Sequence, residues 1–233
     1  MLLLFEAKDR YLKNMNLLSN EENEMLRNFK VCVVGCGGIG GYVIEFLLRL
    51  GIGEITAIDG DVFEYSNLNR QLLSDENSIG KSKSLAAIDR AQIVNSDVKI
   101  NQINSFLNED NCDQLLKGHN VVVDALDNMK TRRMLEAHCK KLDIPMVHGA
   151  IAGWYAQIAT IIPGDDLLSK IYPEGVEKGI EVEIGNPSFT PALAASIEVS
   201  EVIKLLFNKG DILRNKLLTI NLLNCEFDIF EFN

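Results

Sequence analysis

The chain has 233 residues, 47% of them hydrophobic and 24% charged, with a formal net charge of −10. That length serves one large domain or two small ones, and the acidic balance argues against a general phosphate-backbone binder or a protein of anionic membranes, both of which need a basic face. No run approaches the roughly 18 apolar residues of a membrane span.

In chain order, Met1 to Phe5 is too short an apolar run for a signal peptide, so a cytoplasmic location is expected. Residues 8–28 read as a polar, amphipathic helix with a break near Ser19-Asn20. Val31 to Val34 is a short apolar run ending in glycines, followed by a helix through Val43 to Leu48 and a strand from Glu54 to Asp59. Ser82 to Val94 reads as helix, Val98 to Ile100 and Val121 to Asp124 as strands, Lys130 to Leu142 as helix and Ile144 to His148 as a fifth strand. Strands alternating with helices of this length predict right-handed βαβ units and a parallel sheet.

After Gly149 the pattern changes. Trp154 to Ile162 reads as strand, Gly164 to Pro187 as a long surface loop, and Pro191 to Asn208 as an apolar helix. Leu217 to Ile220 and Glu226 to Phe232 are placed to close the sheet as an antiparallel pair. The expected fold is α/β: a Rossmann-like, doubly wound, mostly parallel sheet extended by C-terminal antiparallel strands. The five cysteines, Cys32, Cys36, Cys112, Cys139 and Cys225, form no CxxC pair and read as reduced thiols; Cys32 falls inside a buried strand.

Gly35-Cys36-Gly37-Gly38-Ile39-Gly40 has the G-x-G-x-x-G form between a strand and a helix. Gly35, Gly37, Gly38 and Gly40 permit a tight turn and close approach of backbone to phosphate, while the helix start offers unpaired N–H groups to an anion. Asp59, 19 residues beyond Gly40 at a strand end, is placed to accept hydrogen bonds from ribose hydroxyls. Taken alone, this unit leaves an NAD-dependent oxidoreductase as the leading reading.

The segment after Asp59 moves the reading elsewhere. Asn67, Asn69, Arg70, Gln71, Lys81 and Lys83 follow that acid within 25 positions. A planar Arg fork and a Lys point charge suit a polyphosphate. Asp124-Ala125-Leu126-Asp127-Asn128 puts two acids at the C-terminal end of a strand, the edge at which open α/β sheets bind ligands, and Asp127 suits Mg²⁺. Asp124 reads equally as a helix cap, Lys81 as a solvated charge and His148 as a structural residue; His119 and His138 have no partner that can be named from sequence.

The glycine turn, Asp59-Gly60-Asp61, Ser66-Asn67-Leu68-Asn69-Arg70-Gln71, Gly80-Lys81-Ser82-Lys83, Asp127-Asn128 with Arg132, and His148-Gly149-Ala150 together resemble the MoeB/ThiF/HesA family of ubiquitin-activating-type adenylyltransferases. The resemblance runs from about Arg10 to the C-terminal strands. It implies a single adenylation domain over 1–233, with an N-terminal helical segment (1–29), a nucleotide-binding core (30–150) and a carrier-binding and dimerisation part (151–233). The implied ligands are ATP and Mg²⁺. Asp59, with Asp61 near, would hold the ribose; Asn69, Arg70 and Lys83 the phosphates; Asp127 the Mg²⁺; and Arg132 would support them. Asn67, Gln71 and Asn128 complete the implied ATP site, with Arg70, Lys83 and Asp127 as its catalytic set. The implied reaction is adenylylation of the C-terminal carboxylate of a small ubiquitin-like sulfur carrier ending in Gly-Gly, in a thiamine or molybdopterin type of pathway, by a homodimer.

Three departures from the family pattern stand out. The paired CxxC motifs of a structural zinc are missing, so no zinc site is expected. Gly149 to Asn224 contains no cysteine for a covalent bond to the carrier. The family's N-terminal RYxRQ motif is here Arg10-Tyr11-Leu12-Lys13-Asn14, so the residue that would reach the partner subunit's ATP is Lys13, which keeps the charge but loses the bidentate fork. Adenylation of a short peptide, a non-catalytic carrier-binding subunit and an NAD-dependent oxidoreductase remain as alternatives.

Overall fold

The computed structural model describes residues 10–14, 17–172, 175 and 184–232. Its strands are β1 (Lys30–Val34), β2 (Glu54–Ile58), β3 (Lys99–Ile103), β4 (Val121–Asp124), β5 (Met146–Ala152), β6 (Tyr155–Ile161), β7 (Lys216–Asn221) and β8 (Glu226–Glu231). The helices are α1 (Asn20–Met25), α2 (Gly38–Leu50), α3 (Lys83–Val94), α4 (Cys112–Leu116), α5 (Met129–Leu142), α6 (Leu167–Ile171) and α7 (Phe189–Phe207). The strands form one sheet in the order β3-β2-β1-β4-β5-β6-β7-β8. The first five are parallel, and β6, β7 and β8 continue the sheet antiparallel. This is the fold class that the alternation predicts.

The period of two along each parallel strand builds two cores. Val31 and Val33 face one layer, where they pack with Leu47 of α2, Ala87 of α3 and Val199 of α7. Cys32 and Val34 face the other, with Leu116 of α4, Leu135 of α5 and Leu168 of α6. Burial on both faces explains why β1 and β4 read as unbroken apolar runs. Each fully buried Leu or Val contributes roughly 1.5–3 kcal/mol. From β1 the chain winds outward through β2 to β3, then returns to β4 on the other side of β1, so a crevice opens between the C-terminal ends of β1 and β4.

The structure differs from the sequence reading in several places, α4 among them, which has no counterpart in that reading. The N-terminal segment is not one helix: a 3₁₀ turn at Leu12–Asn14 precedes α1, and a second 3₁₀ turn at Leu26–Asn28 follows it. The break falls at Ser19, whose hydroxyl accepts from Glu22 N (3.2 Å) while Glu22 Oε2 accepts from Ser19 N (2.7 Å). That reciprocal cap starts a new helix there. The stretch read as a loop from Gly164 to Pro187 holds α6, with Leu167 and Leu168 fully buried; residues 173–174 and 176–183 of that stretch lie outside the described ones. Strand β5 begins at Met146 rather than Ile144 and runs on to Ala152, because β6 turns back on it residue for residue from Ala152↔Tyr155 to Met146↔Ile161.

Candidate active site

A cavity of about 940 Å³ opens at the C-terminal ends of the parallel strands and continues along the antiparallel ones. Its head is the glycine turn. Gly35 sits at φ 96°, a left-handed conformation that L side chains avoid, and a Cβ there would lie 2.5 Å from Ala125 O. Gly40 serves packing instead. A Cβ there would meet Gly35 O at 1.8 Å, so its absence lets α2 close on the turn, and Gly40 does not line the cavity. Gly37 and Gly38 do line it.

Asp59 ties this turn to β2. Its Oδ2 accepts from Cys36 N (2.7 Å) and its Oδ1 from Asp61 N (2.8 Å). Burial raises its pKa, and these two N–H donors with Lys83 only partly offset that. A carboxylate has about four lone-pair sites, so two remain for further donors. Lys83, at the start of α3, is buried, lines the cavity and places Nζ 3.2 Å from Asp61 Oδ2.

The segment from Ser66 to Gln71 is wound into tight turns. Asn67 is buried and caps its own turn, with Oδ1 accepting from Glu64 N at 3.0 Å, and it does not line the cavity. Asn69 is also outside the lining; its Nδ2 donates to Asn186 O at 3.1 Å, and its Oδ1 accepts from Arg70 Nη1 at 2.9 Å. Arg70, which also donates to Ser66 O at 2.8 Å, lines the cavity beside Gly38. Gln71 packs against Gly37, and its buried Oε1 lacks a hydrogen-bond partner among the described residues.

Across the crevice, Asp127 is exposed on the cavity wall. Asn128 also lines the cavity and caps α5, accepting from Thr131 N at 2.9 Å; Asp124 accepts from Leu126 N instead, so the helix cap is Asn128. Arg132 is buried, and its Nε and Nη2 both donate to Leu126 O. Nη2 also donates to Gly149 O at 3.1 Å, and Nε lies 3.7 Å from Asp124 Oδ2. It therefore pins the β4–α5 loop that carries Asp127. Burial works against ionisation of Asp124, but Arg132 and His148 outweigh it and hold the carboxyl below its usual range. His148 is buried beside it. His119 bridges Leu116 O (2.8 Å) and Thr56 Oγ1 (2.7 Å), and His138 lies between Asp113 and Glu109.

Lys13 is exposed and does not line the cavity. Its neighbour Tyr11 is anchored against Gly51 and hydrogen-bonded to Asn95 Nδ2 at 2.8 Å, at the C-terminal ends of α2 and α3. Arg10 donates to the same Asn95. That end of the molecule is a helix length of about 20 Å from the glycine turn.

Several wall residues have no motif to announce them. Phe106, exposed, stands against Gly60, whose Cβ would lie 2.8 Å from the ring. Gln157, Thr219 and Asp228 form one row across β6, β7 and β8 in direct register. Alternating polar residues in β7 and β8 are the only sequence signal for that row. Tyr172 also lines the cavity.

The chain matches the ThiF family over residues 10–233. It is 32% identical over 225 residues to the SAMP-activating enzyme E1 of Haloferax volcanii, covering 94% of this chain and 83% of that protein. It is 29% identical over 212 residues to the molybdopterin-synthase adenylyltransferase of Salmonella typhimurium, covering 89% and 84%. Among solved structures, E. coli MccB superposes with a TM-score of 0.82 at 24% identity, over 96% of this chain and 69% of MccB, a likeness of fold. The match over nearly the whole chain, to relatives named for adenylating and E1-type activation, identifies this chain as an adenylyltransferase of the ThiF family.

Proposed function

We propose that the chain adenylylates the C-terminal carboxylate of a small ubiquitin-like carrier ending in Gly-Gly, with ATP and Mg²⁺ as the nucleotide substrate. The observation that carries this reading is the continuity of the cavity. One space is lined at one end by Gly37, Gly38, Asp59 and Lys83, and at the other by Gln157, Thr219 and Asp228. At about 940 Å³ it lies at the upper end of the usual range for ligand sites, with room for a nucleotide and an extended tail together. The names of the relatives, one activating SAMP and one serving molybdopterin synthase, favour a protein carrier.

In this reading the tail carboxylate attacks the α-phosphorus, a new P–O bond forms, and the bond to pyrophosphate breaks with its electron pair leaving on pyrophosphate. The protein contributes positioning and charge stabilisation. Arg70 and Lys83 meet the phosphates, Asp59 the ribose, and the α2 N-terminus the phosphate nearest the glycine turn. Among the described residues no group of three or more ligating side chains is placed to hold a metal. A lone Asp127 fits a Mg²⁺ held by one carboxylate plus phosphate oxygens, where the cation would neutralise the charge that develops on pyrophosphate. Lys13 is exposed and off the wall of its own subunit's cavity, which favours a role at the site of the second subunit of a homodimer, with residues 151–233 supplying carrier-binding and dimer surfaces.

The test is ATP–pyrophosphate exchange in the presence of Mg²⁺ and a peptide ending in Gly-Gly. Arg70→Ala and Asp127→Ala are expected to lower exchange about 100-fold, the scale for one lost charge-stabilising group. Full exchange by a folded Asp127→Ala chain would remove the metal role.

A further inference from the structure

A second polar chain runs under the cavity wall, apart from the cations of the phosphate end. Asp124 Oδ1 accepts from Leu126 N at 3.1 Å, and its Oδ2 lies 2.7 Å from His148 Nδ1. His148 Nε2 lies 3.0 Å from Tyr172 Oη, with the two rings edge to face. In the structure the Gln157 amide faces Tyr172 with its oxygen, Tyr172 Oη lying 3.1 Å from Gln157 Oε1. Asp124 and His148 are fully buried, while Tyr172 and Gln157 line the cavity.

Counting protons gives this chain a direction. The Asp124 carboxylate can only accept, so His148 carries its hydrogen on Nδ1. A second hydrogen on the ring would set two cations, imidazolium and Arg132, around one carboxylate in a site closed to water, and burial lowers the His148 pKa despite its bond to Asp124. Nε2 is then a bare lone pair. Tyr172 has one hydroxyl hydrogen and gives it to that lone pair. It has none left for Gln157, which must therefore meet the Tyr172 oxygen with its amide N–H. The two ends of a carboxamide have the same shape, so half a turn about the last side-chain bond satisfies this. The side-chain carbonyl then points away from Tyr172.

From this geometry we infer that Asp124, His148 and Tyr172 hold Gln157 with its side-chain carbonyl turned to the cavity, where it accepts the N–H of the last peptide bond of the tail. The inference rests on the proposed adenylation of a peptide-like tail, and it adds what that site selects: a C-terminal amide donor as well as a carboxylate. Gln157 is a specificity residue in this account, and Tyr172 and His148 are positioning residues.

Two measurements test it. The first needs no activity: ¹⁵N NMR of histidine-labelled protein should show His148 protonated at Nδ1 and bare at Nε2, with the Nε2 signal moving in Tyr172→Phe. Protonation at Nε2 would reverse the chain, present the amide NH₂ to the cavity and overturn the inference. The second compares exchange with a synthetic peptide ending in Gly-Gly and its ester analogue, in which the last N–H is replaced by oxygen. The wild type should show a KM about 3- to 10-fold higher for the ester, the scale of one neutral hydrogen bond. Gln157→Ala should show the same KM for both, and Tyr172→Phe a reduced difference. Equal discrimination by wild type and Gln157→Ala would overturn the inference while leaving adenylation standing. Absence of exchange with either peptide would fall on the adenylation reading, and the NMR result would still decide the orientation of the chain.

Discussion

Glu198 lies on α7 with its carboxyl fully buried against Gly149, and neither oxygen has a hydrogen-bond partner among the described residues. Burial, reinforced by Asp124 and only partly offset by Arg132, pushes its pKa well above the usual range. The native protein therefore keeps the proton that the unfolded chain releases above about pH 4.3. The stabilising contribution is complete below that pH and declines as pH rises toward the native pKa. Glu198→Gln cannot titrate, so its urea midpoint should vary less between pH 5 and pH 8 than the wild type's. Parallel pH profiles would mean that Glu198 is ionised in the fold. This residue was not legible in the sequence, where Glu198 is one polar letter in an apolar helix; its burial depends on which face of α7 meets β5. That Arg70, Lys83 and Asp59 would share one cavity wall was legible because charged donors crowd the segment that follows a nucleotide-type turn. Asn67 and Asn69 share that segment, yet their side chains shape its turns and miss the cavity wall.

The β1–α2–β2 unit is the most strongly determined element of the molecule. Its glycines serve different ends, and Gly40 is the one that serves packing. Gly40→Ala would press a methyl against Gly35 O, where the Cβ position is only 1.8 Å away. Overpacking of this kind costs about 1–3 kcal/mol. The expected outcome is a lower urea midpoint together with a raised KM for ATP, because opening the turn moves the phosphate-facing N–H groups. Wild-type stability and KM would show that α2 and the turn can part without consequence. Elements of this kind are readable because period, glycine and strand end agree. The N-terminal segment was only half readable: polarity predicted helix with a break near Ser19-Asn20, where the Ser19–Glu22 capping box stands, but the stretch before it holds a 3₁₀ turn at Leu12–Asn14. Helix α6 was missed because a five-residue helix carries too few apolar positions to show a period, and only the burial of Leu167 and Leu168 under α5 marks it.

Across the whole molecule, the switch from parallel to antiparallel strands was visible in the change of pattern after Gly149, whereas the wall formed by Gln157, Thr219 and Asp228 needed strand register that no local signal supplies. Assembly is decided at the same scale. Tyr11 anchors the N-terminal turn at the far ends of α2 and α3, which favours the proposed role of Lys13 at the glycine turn of a second copy. Chains carrying Lys13→Ala, co-folded with chains carrying Lys83→Ala, should recover part of the exchange activity, since each mixed dimer keeps one intact composite site. Failure to recover in dimers confirmed by light scattering, or a monomer at micromolar concentration, would end that account. The central claim is attack on the α-phosphorus by a tail carboxylate. Mass spectrometry of a Gly-Gly-ended carrier incubated with this protein, ATP and Mg²⁺ tests it most directly. The predicted product is a carrier heavier by one adenylyl group at its C-terminus, with pyrophosphate released; a phosphorylated carrier with ADP released, or a carrier unchanged while ATP is bound, would contradict it.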